Sequence, residues 1–163
     1  MGKVIRMQLF LLIEKDIIRK ESYDFFGRVI IMDDFYEKIY YECGVRRPYK
    51  DEQDWEWCAG DCNHTNDYIE FYNSYSDEMD QWQKYLLINM IIQGIEDLMD
   101  ENQETLFIDQ LWNKTKEILL KDKHDGVIIY WSCIDEALDD CWNITSKMRE
   151  LFKALLLTSR GDS

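Results

Sequence analysis

The 163-residue sequence is poor in chain breakers and in small residues: one proline, seven glycines and three alanines stand against eighteen isoleucines and ten tyrosines. That excludes a Pro/Gly-rich linker or a collagen-like chain. A 46% hydrophobic and 14% aromatic share excludes disorder, because such a chain can bury enough apolar surface to repay the entropy of folding. Long apolar runs are missing too. The stretch Met7 to Ile13 stops at Glu14 with no small-residue cleavage site after it, so it is expected to be part of a buried helix and not a signal peptide. Nothing reaches the ~20 residues that cross a bilayer. Basic residues are scarce: 19 Lys and Arg against 33 Asp and Glu leave −14. This argues against general affinity for nucleic acid or an anionic membrane surface, since Lys and Arg supply phosphate affinity, and it favours a basic partner. Five cysteines, an odd number in a chain too large to need disulfide staples, fit a reduced, cytoplasmic setting.

What is present points to one all-α domain over residues 1–163, a bundle of about five to seven helices with one long irregular loop at 44–65. Phe25, Val29, Met32, Tyr36, Ile39, Tyr40 and Cys43 recur in steps of three and four, with Gly44 placed to end that helix in the left-handed conformation. Residues Trp82 to Met99 are apolar nearly all round, which predicts a central helix started by Ser76 and the acids Asp77, Glu78 and Asp80. Phe107, Leu111, Thr115, Ile118 and Leu119 predict a further helix. Ile134, Leu138, Cys141, Thr145, Met148, Phe152 and Leu155 predict a last one, with Ser132 and Asp135 spaced as a variant capping box. Residues 7–13 and 127–131 are compatible with either strand or helix.

The charge is unevenly spread. Residues 51 to 80 hold ten acids and no Lys or Arg, so −10 of the −14 sits in thirty residues. Trp55, Trp57, Tyr68, Phe71, Tyr72 and Tyr75 are interleaved with them. Such a segment is either a solvated loop whose aromatics turn inward, or a protein-binding face in which aromatics anchor the contact and charge steers the partner.

Catalytic signatures are absent. There is no P-loop, dinucleotide fingerprint or nucleophile elbow, and only two histidines. An enzyme is not expected, and neither is a cofactor. Cys43, Cys58, Cys62 and His64 offer four zinc-ligand types in one region, but their spacing matches no standard zinc module, and Cys43 already fits an apolar helix face. The acid pairs Asp33-Asp34, Glu96-Asp97 and Asp139-Asp140 read as solvated helix faces, and the sequon at Asn143 falls in the predicted last helix.

A small, strongly acidic, aromatic-rich helical chain with no catalytic constellation resembles the bacterial immunity proteins of contact-dependent growth inhibition and other polymorphic toxin systems. The segment Asp51 to Asp80 is the clearest point of likeness. The resemblance implies a tight complex with a toxin domain, often a basic nuclease, and no direct contact with nucleic acid or membrane. The partner-binding candidates are Asp51, Glu52, Asp54, Trp55, Glu56, Trp57, Asp61, Asp67, Tyr68, Glu70 and Tyr72. One alternative is a nucleic-acid mimic that inhibits a DNA- or RNA-binding protein. A zinc-stabilised domain or hydrolase is the other.

Overall fold

The computed structural model describes Phe35, Lys38, Ile39 and residues 41–44, then 61–101 and 103–161, with side chains to residue 157. The expectations at 7–13 and at Asp33-Asp34, and the candidates Asp51, Glu52, Asp54, Trp55, Glu56, Trp57 and Cys58, lie outside the described residues. All regular structure among the described residues is helical. A helical segment through Phe35, Lys38, Ile39 and 41–43 ends at Gly44, whose φ of +70° is the left-handed stop expected of it. A 3-10 turn at Cys62–His64 leads into α1 (Thr65–Tyr75), followed by α2 (Gln81–Asp100), α3 (Thr105–Lys121), α4 (Asp125–Ser132), a 3-10 turn at Leu138–Asp140 and α5 (Thr145–Gly161). No described helix is long and apolar enough to cross a membrane.

α2 is the axis of the packing. Eleven of its residues, from Leu86 to Leu98, are buried, as expected of a helix that is apolar on most sides. Its start differs from expectation. Ser76 is the buried C-cap of α1, and Asp80 caps α2 by accepting from Gln83 N while Gln83 Oε1 accepts from Asp80 N, a full capping box. Gly94 lets α1 approach α2 closely: a Cβ there would stand 2.2 Å from Thr65 Oγ1. α3 buries Ile108, Leu111, Trp112, Thr115, Ile118 and Leu119. The predicted stripe holds at Leu111, Thr115, Ile118 and Leu119 and differs only at its first position, where Ile108 is inside and Phe107 is 43% exposed.

Residues 127–131 are helical. Asp125 and Gly126 open α4, and Cys133 ends it at φ 44°, a left-handed cap rare for a side chain with a Cβ. The predicted last helix starts about ten residues too early. Ser132 is the buried end of α4, with its Oγ donating to Ile128 O, and Ile134 and Leu138 are about half exposed (48% and 52%) in the connection to α5. Arg149 holds that connection together: its Nε donates to Ser132 O at 2.7 Å, and its Nη2 donates to Cys133 O and to Glu136 O, tying the C-terminal end of α4 to the turn that follows it. Trp131, fully buried, donates its indole N–H to Asn89 Oδ1 at 2.9 Å, and Asn89 Nδ2 donates to Tyr85 O, so this polar pair inside the core is satisfied.

Candidate functional site

Three segments meet at one end of the described structure. The helical segment that closes at Cys43 and Gly44 reaches the 3-10 turn, where His64 Cε1 lies 4.0 Å from the place a Cβ on Gly44 would take. The same turn packs on the C-terminal part of α2, where Cys62 Sγ lies 3.9 Å from Glu101 Oε1. Asp61 closes the turn by accepting from Asn63 N and Asn63 Nδ2, both at 3.0 Å.

This arrangement gathers carboxylates. Cys43 feels the charges of Asp67 and Glu42; Tyr68 feels Asp61 and Asp67; Cys62 feels Glu101, Asp61 and Asp97. The thiols report the field. Burial first, then Asp67 and Glu42, push Cys43 up to about 12, and burial, then Glu101, Asp61 and Asp97, raise Cys62. Asp61 and Glu101 have neutral donors as partners, Asn63 for the first and Cys62 and Gln103 for the second. Glu96, Asp97, Asp100 and Glu101 crowd the C-terminal end of α2, where the helix dipole already favours positive charge, and the last turn holds no basic residue. A local arrangement that works against helix stability is a pattern found where function is served.

The predicted site residues divide. Asp61, Asp67 and Glu70 are exposed. Asp67 Oδ2 is 2.9 Å from His64 Nδ1, and Glu70 Oε1 accepts from Lys114 Nζ at 2.8 Å. Tyr68 and Tyr72, expected as contact anchors, are instead core residues, 0% and 1% exposed, because α1 turns that face onto α2. Tyr75, half-buried, carries Lys38 Nζ 3.7 Å from its ring centroid, and Lys38 also pairs with Glu78 at 3.1 Å. These three residues join Phe35, Phe71, Met79 and Gln83 around a cleft of about 230 Å³.

Of the weak metal candidates, Cys43 is buried, Cys62 and His64 are half-buried, and among the described residues no group of three or more His, Cys, Asp and Glu could hold a metal ion.

The acid pair at Glu96 and Asp97 does not face water as a whole. Glu96 is 2% exposed and accepts from Asn143 N at 3.0 Å and Ile144 N at 2.8 Å, serving the start of α5. Asn143 lies in the turn before α5 and gives its Nδ2 to Asp100 Oδ1. Glu42, Asp97, Asp100 and Glu101 were not among the predicted contact residues. The available signal was the acid run at 96, 97, 100 and 101, placed on consecutive turns at the end of an apolar helix with no Lys or Arg beside it.

Comparison of the chain with protein-family models, with curated proteins and with solved structures finds no match.

Proposed function

We propose that this chain is an immunity-type inhibitor that binds a basic toxin domain, with the acidic end formed by Asp61, Asp67, Asp97 and Glu101 as part of the contact. The observation that carries this is convergence: carboxylates distant in sequence come together around Cys62 and Cys43, and Asp61 and Glu101 are met there by neutral donors. A compact field of one sign accelerates encounter with an oppositely charged partner. The acids at 51–56 and the indoles of Trp55 and Trp57 precede Asp61 by only a few residues, and they supply the remaining charge and the aromatic anchors of the proposed contact.

The nucleic-acid mimic is less well supported. Mimicry calls for carboxylates arrayed at phosphate-like intervals, whereas Glu70 is taken by Lys114, Glu78 by Lys38 and Asp80 by the cap of α2.

Co-expression with a panel of basic nuclease toxin domains tests the proposal. The chain is expected to restore growth against a cognate member, and the combined change Asp54→Ala, Trp55→Ala, Glu56→Ala and Trp57→Ala to weaken that protection. Full protection by this variant would overturn the assigned surface.

A further inference from the structure

The first turn of α3 shows water two large apolar side chains that the core does not use. Leu106 is 63% exposed and Phe107 43%, while Ile108 beside them is buried. An exposed leucine by itself is ordinary, and what sets this pair apart is its position. Lys114 Nζ meets Asn66 Oδ1 at 2.9 Å and Glu70 Oε1 at 2.8 Å, and Asp122, just past the end of α3, meets the hydroxyl of Tyr72. α1 and α3 therefore lie side by side and run the same way. Phe107 is two turns before Lys114 on the same face of α3, roughly 10 Å nearer its start. The same step back along α1 leads to the 3-10 turn Cys62–His64 and its cap, Asp61. From the other side comes Glu101, which closes α2, lies 3.9 Å from Cys62 Sγ and is joined to α3 by a short link. Glu104 ends that link as the N-cap of α3, and its side chain makes no capping bond. None of the ion pairs among the described residues uses Asp61, Glu101 or Glu104.

We propose that Leu106 and Phe107 are the apolar anchor of the acidic contact surface and seat an apolar side chain that a basic protein partner presents between Lys or Arg residues. The proposal rests on the inhibitor function for the kind of partner, and on exposure and placement for the site. The rim decides the occupant. A purely apolar partner would strip water from Asp61, Glu101 and Glu104 and leave their charges unpaired, which is costly, and a phosphate or an anionic lipid headgroup would be repelled. An apolar group flanked by cations satisfies both parts at once, with charge pairs at the rim and a desolvated contact in the middle. Among the described residues this supplies the exposed anchor that Tyr68 and Tyr72, turned into the core, do not provide. The two parts act on different rates: the carboxylates govern association, and Leu106 and Phe107 govern dissociation.

Three peptides serve as probes: acetyl-Arg-Leu-Leu-Arg-amide, acetyl-Arg-Ser-Ser-Arg-amide and acetyl-Ser-Leu-Leu-Ser-amide, each titrated into the ¹⁵N-labelled full chain and followed by NMR. The first is expected to shift the amides of Leu106, Phe107, Asp61 and Glu101 and to bind at least about tenfold more tightly than either of the others. Leu106→Ser/Phe107→Ser is expected to bring that advantage down to about twofold. Equal binding of the serine peptide, shifts centred elsewhere, or no binding up to about 10 mM would overturn the anchor. Should the double variant fail to fold, Leu106→Ser, at the more exposed position, takes its place. With a neutralised member of the basic nuclease panel, the same variant is expected to dissociate at least about tenfold faster with little change in association. Neutralisation with an unchanged dissociation rate overturns the anchor and leaves the inhibitor function standing. If no member is neutralised, the inhibitor function fails and the peptides decide the surface.

Discussion

Glu96 Oε2 accepts the backbone N–H of Ile144 at 2.8 Å, joining two residues 48 positions apart. Its second oxygen takes the N–H of Asn143 at 3.0 Å. A buried carboxylate on α2 thus serves the N-terminal donors of α5, the place where helix geometry leaves N–H groups unpaired and where negative charge is favoured. Replacing it by glutamine turns one acceptor into a donor facing a donor. Glu96→Gln is expected to cost about 1–3 kcal/mol, and Glu96→Ala more, read from urea unfolding midpoints at constant m.

The contact of Thr65 with Gly94 sets the spacing of α1 on α2. A methyl group at 94 would overlap Thr65 Oγ1 at 2.2 Å, while Thr65 Cβ would remain at a tight 3.3 Å. Gly94→Ala is therefore expected to destabilise by about 1–3 kcal/mol, outweighing the small gain in helix propensity. Thr65→Ala on the same chain should recover part of that loss, and a double-mutant cycle of unfolding free energies would show the coupling.

Stability should fall on both sides of neutrality, for different reasons. On the acid side the unfolded chain protonates histidine below about 6.5, whereas burial keeps folded His124 neutral to lower pH; Asp122 is depressed as well, so its contribution is lost as pH falls through its folded value. On the alkaline side an unfolded Cys43 ionises near 9, but folded Cys43 holds its proton to about 12, and Tyr68 and Tyr72 are likewise raised by burial. Unfolding is then favoured as pH climbs above 9. Thermal midpoints between pH 4 and pH 11 are expected to peak at pH 7–8.

Cys62 offers a local probe of the acidic end that needs no partner. Its thiol is raised by burial and then by Glu101, Asp61 and Asp97, so its thiolate fraction at neutral pH is small. Glu101→Gln combined with Asp61→Asn should speed its alkylation by neutral iodoacetamide, followed by peptide mass spectrometry. Added salt should speed it in the wild type more than in the variant.

The helices were legible in the sequence where one rule dominated. Apolar residues nearly all round 82–99 pointed to a covered helix, and Gly44 was placed to end the preceding helix in the left-handed conformation it adopts. Periodicity failed where two stripes competed: Phe107 and Ile108 are adjacent, and only packing on α2 decides that Ile108 goes inside. It also ran through the break at 133–144, because Ile134, Leu138 and Cys141 keep helical spacing while Arg149, which secures the turn, lies beyond it. Tyr68 and Tyr72 carry a polar group on an aromatic body, so composition alone could not separate core from contact; Tyr72 meets its polar needs internally through Asp122 and His124. The joining of Asp61 to Asp97 and Glu101 is tertiary, and no local pattern encodes it.

The central claim is that an acidic surface steers a basic toxin domain to this chain. Its most direct test is stopped-flow association with a toxin against which the chain protects cells, comparing the wild type with Asp61→Asn/Glu101→Gln. The wild-type association rate is expected to fall about tenfold or more between about 50 mM and about 500 mM salt, and the variant to be slower at low salt with a shallower dependence. An association rate unchanged by either salt or the two neutralisations would contradict it.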